Sequence, residues 1–248
     1  MARTNPALVQ TIHDSLAQYA RENYEKFYYL VYSYVKNQEV ATLVIQNVVY
    51  YSLANARKLP ELPPMRTWYF QLLIRDGMRT MRRNDFPRKF TDNSQLYAYF
   101  ETLEPSATNV FKLYYFEEME MDQVMGILRM KADEVKRRLR YVRSAMEIDS
   151  SLDEESLERL EELIRLYESP EIPEDLGRIV EEAIRKEEEG HARHMEKQRK
   201  TRIIKPLGLV VLIVLLFLFT GHAVETQPGF AEALARVPLI GNLLLSLF

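Results

Sequence analysis

The residues with the clearest chemistry are cations in a helical register. In KADEVKRRLRYVRSAM, residues 131–146, the apolar Val135, Leu139, Val142 and Met146 fall at i, i+4, i+7 and i+11, one stripe of a helix. Lys136, Arg137, Arg140 and Arg143 lie largely off that stripe, and Lys131 opens the segment. Residues 126–146 hold seven basic side chains against two acids. Long cationic arms on one face, with an apolar stripe to dock the helix on the one before it, suit neutralisation of phosphates in a DNA groove. A second set, Arg75, Arg79, Arg82 and Arg83, lines the outer face of RTWYFQLLIRDGMRTMRRN, with Trp68, Leu72 and Met78 inside. The competing reading is a solvated basic face on an ordinary bundle. Periodicity and charge alone leave the two level.

Other chemistry is poorly served. The absence of cysteine removes disulfides, thiolate metal sites and thiol nucleophiles. His191 and His194 stand three apart, with Glu188 three before His191, but a helical metal pair needs a second such motif. There is no glycine-rich phosphate loop and no nucleophile elbow. The chain is therefore expected not to be an enzyme and to hold neither metal nor cofactor. Tyr28, Tyr29, Tyr50 and Tyr51 read as core and interface rather than as base-stacking platforms.

The elements that position these groups read as almost all helix, with glycine scarce (8 of 248 residues) and proline at the joints. The expected fold class is all-α: two small helical domains, the second with a helix-turn-helix, then a helical stalk and one transmembrane helix. Residues 1–86 form the first domain. Within it EVATLVIQNVVYYSLANA is rich in β-branched residues, but its length favours a buried helix over a strand. Residues 87–94 are a linker, and 95–148 the second domain, where MDQVMGILRM and the basic helix have helix-turn-helix proportions. Residues 149–202 are the stalk, acidic and then basic. It opens on a capping box of Ser151 with Glu154 and resumes with Leu176, Ile179, Val180 and Ala183 on one side.

Residues 203–224 contain an uncharged run, Leu207 to Phe219. Thirteen helical residues rise only about 20 Å, so a span would borrow from its flanks. Lys197, Arg199, Lys200, Arg202 and Lys205 crowd the entry side. The positive-inside rule then predicts a single-pass cell-membrane protein, with a cytoplasmic body and the tail 225–248 outside. The tail reads as an interfacial helix with a small-x-small triplet, Gly229 to Ala231, that signal peptidase accepts.

Two resemblances sharpen this. In residues 103–146, Leu103, Pro105, Tyr115-Phe116-Glu117, Val124, Ile127-Leu128, Val135-Lys136 and Arg138-Leu139 resemble domain four of the extracytoplasmic-function sigma factors. In the first block, Tyr32-Ser33-Tyr34-Val35, Gln46, Thr67-Trp68 and Arg82-Arg83 resemble domain two of that family. The resemblance implies promoter DNA as partner, read by Lys131, Lys136, Arg137 and Arg140 from the second domain and by Arg75, Arg79, Arg82 and Arg83 from the first. It also implies core RNA polymerase, met by the helix bearing Glu39, Val40, Leu43, Gln46 and Asn47. The family usually places carboxylates on that helix. Here Val40, Leu43 and Asn47 stand in their place, and an apolar face wants a different partner, such as another sigma factor or an anti-sigma factor. Arg129 replaces the turn glycine, where a positive φ costs about 1 kcal/mol. Met125 replaces a small residue, and Asp133 and Glu134 open the recognition helix. The C-terminal third, through Ile172-Pro173, Ile179-Val180, Ala183-Ile184, Pro228, Phe230-Ala231, Ala233, Val237-Pro238 and Ile240-Gly241, resembles the anchor region of membrane-bound anti-sigma factors. That implies the lipid bilayer as a partner. The whole reads as a membrane-tethered, sigma-like regulator of transcription, or as a sigma-like interaction module without DNA binding.

Overall fold

The computed structural model describes residues 6–83, 87, 94–149, 151–190 and 192–193. All its regular elements are helices. In chain order they are α1 (Pro6–Val35), α2 (Gln38–Asn55), α3 (Met65–Arg83), α4 (Ser94–Thr102), α5 (Pro105–Phe111), α6 (Met121–Leu128), α7 (Ala132–Ala145) and α8 (Glu154–Glu168). A further helix, α9, covers residues 176–190. A short 3₁₀ turn, Ala56–Lys58, closes α2, and α5 runs on into a π-helical turn, Lys112–Phe116.

The β-branched segment is helical because its apolar side chains are spread around α2 and have helices to meet. Asn37 caps it by accepting from the Val40 amide at 3.0 Å. Ala41, Val44, Ile45, Val48, Val49 and Leu53 are buried, and α2 packs on α1 and α3. Aromatic rings fill that three-helix core. Phe27 stacks on Tyr69 at 5.1 Å, and the Tyr69 hydroxyl donates to the Leu16 carbonyl at 2.9 Å. Gly77 lets α3 approach α1: a Cβ there would lie 2.8 Å from the buried ring of Tyr34.

Residues 1–189 form one compact unit. A single apolar cluster reaches from Ile12 through Phe111 and Val142 to Ile184. The boundary drawn from sequence at the 87–94 linker is therefore not a break in the core. Most of that linker lies outside the described residues, but the Asn37 amide donates to the Pro87 carbonyl at 2.8 Å.

The stalk reading is corrected over its described part. Residues 154–190 are packed on the body, because their apolar side chains have a surface to cover. Leu163 and Tyr167 of α8 are buried, as are Leu176, Val180, Ala183 and Ile184 of α9. The capping residue differs too. Asp153, not Ser151, caps α8 by accepting from the Ser156 amide at 3.0 Å, while Ser151 bonds Asp149. A true capping box stands elsewhere, between Glu120 and Gln123 at the start of α6.

The localisation read from sequence, a single-pass membrane protein with a cytoplasmic body, is also corrected. No helix among the described residues is long and apolar enough to cross a membrane. The stretch 203–224, the tail 225–248 with its cleavage triplet, and His191 and His194 lie outside the described residues.

Arg129 closes α6 with φ 55° and ψ 44°, as the displaced turn glycine leads one to expect. Lys36, Glu118, Glu147 and Leu152 also take positive φ, and no described glycine does. The left-handed conformation strains a side chain with a Cβ by roughly 1–2 kcal/mol and costs glycine almost nothing. Arg129 is exposed, so little packing is lost with it. Arg129→Gly is expected to raise stability by about 1 kcal/mol, read as a higher urea midpoint at an unchanged m-value.

Candidate nucleic-acid and partner interface

α6, the turn at Arg129 to Lys131, and α7 form the helix-turn-helix. Val135, Leu139 and Val142 of α7 are buried, so the stripe read from sequence is the docked face. It lies against α5 more than against α6, the preceding helix. Lys131, Lys136, Arg137 and Arg140 all remain exposed. Arg138 is turned inward and fastens the helix: its guanidinium pairs with Glu104 at 2.9 Å and with Glu134 at 2.8 Å. That pairing lowers the Glu134 pKa, chiefly through the hydrogen bond. It also partly neutralises an acid that would otherwise repel phosphate at the head of α7. Arg143 donates to the Asp149 carbonyl, which ties off the far end.

On α3, Arg79, Arg82 and Arg83 are exposed. Arg75 is exposed but engaged: it holds Asp76 with two bonds of 2.8 and 3.1 Å and lies 5.2 Å from the centre of the Tyr51 ring. Its ion pair leaves it less charge for phosphate than its three neighbours on α3. Trp68 is half-buried, with an indole nitrogen that is buried and makes no hydrogen bond.

On α2, Glu39, Leu43 and Asn47 are exposed and Val40 and Gln46 half-buried, so the structure gathers the expected contact residues on one outer face. Leu43 exposes 55% of its surface, Tyr50 46% and Tyr51 43%. These two tyrosines were read as core and interface. They stand on that outer face rather than in the core, while Tyr28 is buried and Tyr29 half-buried. Their signal was in the sequence: Leu43 to Tyr50 is a heptad step, which keeps both residues on one face of a helix.

The first half, residues 6–83, and the second, residues 94–149, meet in a buried polar joint that no sequence pattern announced. The ammonium of Lys112, on the π turn, donates to the Ser33 hydroxyl at 2.9 Å and lies 4.3 Å from the centre of the Tyr34 ring and 4.7 Å from that of Phe100. The Tyr34 hydroxyl donates to Asn109 at 2.7 Å. Lys36, at the end of α1, pairs with Glu101 of α4. Arg66 of α3 donates to the Glu117 carbonyl, and Gln71 to the Gly126 carbonyl at 2.9 Å. The Glu117 carboxyl is buried and accepts from the Tyr167 hydroxyl at 3.0 Å.

Burial, with the charge of Lys36 added, pushes the Lys112 ammonium down to about 7. Burial pushes Glu117 up to about 7, against opposing contributions from the Tyr167 hydrogen bond, Lys26 and Arg66. The signs then follow. Between about 7 and 10.5 the unfolded chain holds more protons at Lys112, so its burial cost is full below 7 and fades as pH rises. Between 4.5 and about 7 the folded chain holds more protons at Glu117, so its cost is absent in acid and full above 7. Together the two groups oppose folding most near neutrality. Lys112→Met is expected to stabilise the protein at pH 6–7 by roughly 1–4 kcal/mol, a gain that shrinks towards pH 10. Glu117→Gln is expected to stabilise at pH 8 and to change little at pH 4.5. Urea titrations across pH check both signs.

Comparison with known proteins bears on these faces. The chain is 21% identical over 145 residues to "RNA polymerase sigma factor SigV" of Bacillus subtilis (strain 168), covering 52% of this chain and 87% of that protein. The chain is distantly similar to a sigma factor. No family model and no solved structure matches it. The sigma-like relationship read from the residues is supported at this coarse level, and the fusion to a membrane anchor is not.

Proposed function

We propose that this protein is a non-enzymatic, sigma-like regulator of transcription. It engages promoter DNA through the basic face of α7, aided by α3, and core RNA polymerase through the outer face of α2. The observation that carries the reading is the division of labour on α7. Its apolar stripe is docked, Arg138 is locked inward, and Lys131, Lys136, Arg137 and Arg140 stand free in solvent on a helix-turn-helix. That is the arrangement a groove-reading helix needs, with phosphate contacts supplying salt-dependent affinity. The distant likeness to a sigma factor supports the same reading.

The test is anisotropy of labelled duplex DNA with the full chain between 50 and 200 mM salt. Arg137→Glu/Arg140→Glu is expected to weaken binding at least tenfold. It is also expected to flatten the slope of log affinity against log salt by about 2, at roughly 0.9 per phosphate contact. Unchanged affinity and slope would remove DNA from the proposal.

A second reading, a sigma-like module that binds a protein partner without DNA, is favoured by the exposed Leu43, Tyr50 and Tyr51 on α2. Large apolar side chains exposed together on one face suit an interaction site. Leu43→Asp/Tyr50→Asp is expected to cut capture of core RNA polymerase by the full chain at least tenfold while leaving the melting temperature within about 2 °C of the parent, since surface changes usually stay within about 0.5 kcal/mol. If polymerase is not captured by the parent chain, and DNA is not retained either, the second reading replaces the first.

A further inference from the structure

The C-terminal helices bind both sigma-like halves at once. α8 touches α1 from the first half and α4 and the π turn from the second. Tyr167 is the key of that contact. Its ring lies 4.5 Å from Phe116 of the π turn and 6.2 Å from Tyr29 of α1, and its hydroxyl donates to the buried Glu117. α9 then seats on α1. Arg21 gives two bonds to Glu181, at 2.7 and 3.1 Å, and the His13 imidazole meets Glu187 at 3.0 Å. Beside these polar pairs Val180, Ala183 and Ile184 are buried.

We propose that residues 154–190 are a clasp that holds the two halves shut and thereby regulates the DNA and polymerase contacts proposed above. The regulatory half of this statement rests on that functional reading; the mechanical half does not. Three features make the clasp a separable device. It follows both halves in the chain and adds no residue to either basic face. Its seat on α1 buries Val180, Ala183 and Ile184 and is edged by the half-exposed Arg21–Glu181 pair, which contributes little to holding it. Its contacts fall on both sides of the joint, so releasing it removes the packing that spans the halves at Tyr29 and Phe116. While shut, it fixes the spacing of the α3 and α7 cations. Once open, it leaves that spacing to the joint around Lys112 and Tyr34 alone and bares the surface under Tyr167.

The chain has no native cysteine, so Arg57→Cys and Ser144→Cys, both at exposed positions in opposite halves, accept nitroxide labels at defined sites. Dipolar distance measurements on the full chain are expected to give one narrow distribution. Ala183→Glu places a charge in the α1 seat and is expected to broaden it towards longer distances, with new tryptic cuts at Arg178 and Arg185 reporting release. A narrow distribution alongside those cuts overturns the clasp. If Ala183→Glu does not fold, Arg21→Glu is expected to broaden the distribution partially and Arg21→Glu/Glu181→Arg to restore it; failure of the swap to restore it overturns the clasp. In parallel, release is expected to raise capture of core RNA polymerase tenfold or more, the inverse of the open fraction in the parent chain. Broadening with unchanged capture overturns the regulatory half. Capture by no form, open or shut, overturns the polymerase reading and leaves the distances to judge the clasp alone.

Discussion

The structure depends most on how the Lys112 ammonium is housed. A buried cation is tolerated only where dipoles and ring faces replace water, and here one hydroxyl and two aromatic faces do so. They come from two helices other than its own: Ser33 and Tyr34 from α1, Phe100 from α4. The ammonium therefore fixes three helices relative to one another. Tyr34 extends the constraint, because its hydroxyl is spent on Asn109 and its ring lies against Gly77 of α3. The π turn belongs to the same arrangement. Widening the helix for five residues, with the Glu117 amide reaching back to the Lys112 carbonyl, lets both Lys112 and Glu117 be buried near the joint.

Such a joint favours specificity over stability. Apolar residues of similar volume would hold the helices together at less desolvation cost. What the polar groups add is register: a shifted α5 would strand a charge and a phenol without partners. Glu117 makes the same demand of α8, since Tyr167 is the hydroxyl that satisfies its carboxyl. The C-terminal helices are therefore specified by the sigma-like body and are not merely attached to it. This is the physical reason that one core runs from Ile12 to Ile184 where the sequence suggested domains on a line.

What could be read from the sequence was whatever one element decides by itself. The stripe of Val135, Leu139 and Val142 and the exposed cations of α7 follow from periodicity alone, and α2 was legible as a helix despite its β-branched residues. Arg129 was legible only through the resemblance, whose turn glycine it replaces. Properties shared between elements were not legible. Leu176, Val180 and Ala183 were seen as a stripe, but nothing in their spacing names α1 as the surface they cover. Lys112 looked like one polar residue in an aromatic run, and its partners lie on segments far from it in the chain. For Tyr50 and Tyr51 the sequence left core and interface open. Aromatic rings default to the interior, and only the packing of α2 against α1 and α3 shows which side of α2 is left over.

That leftover side and the α7 cations obey different physics. Attraction between exposed cations and phosphate is screened within about 10 Å at 0.1 M salt, whereas burial of Leu43 and Tyr50 by a partner is nearly indifferent to salt. The two are not independent, because Arg75 leaves the cation row of α3 to lie on the ring of Tyr51 at the rim of the apolar face. A partner that covers Tyr51 must either accept that guanidinium as part of its own contact or displace it. Displacement would free it from the ring and, if the pair with Asp76 also opened, return a full positive charge to the row carrying Arg79, Arg82 and Arg83. Arg75 thus stands where the outer face of α2 meets the cation row of α3, held by Asp76 and the ring of Tyr51.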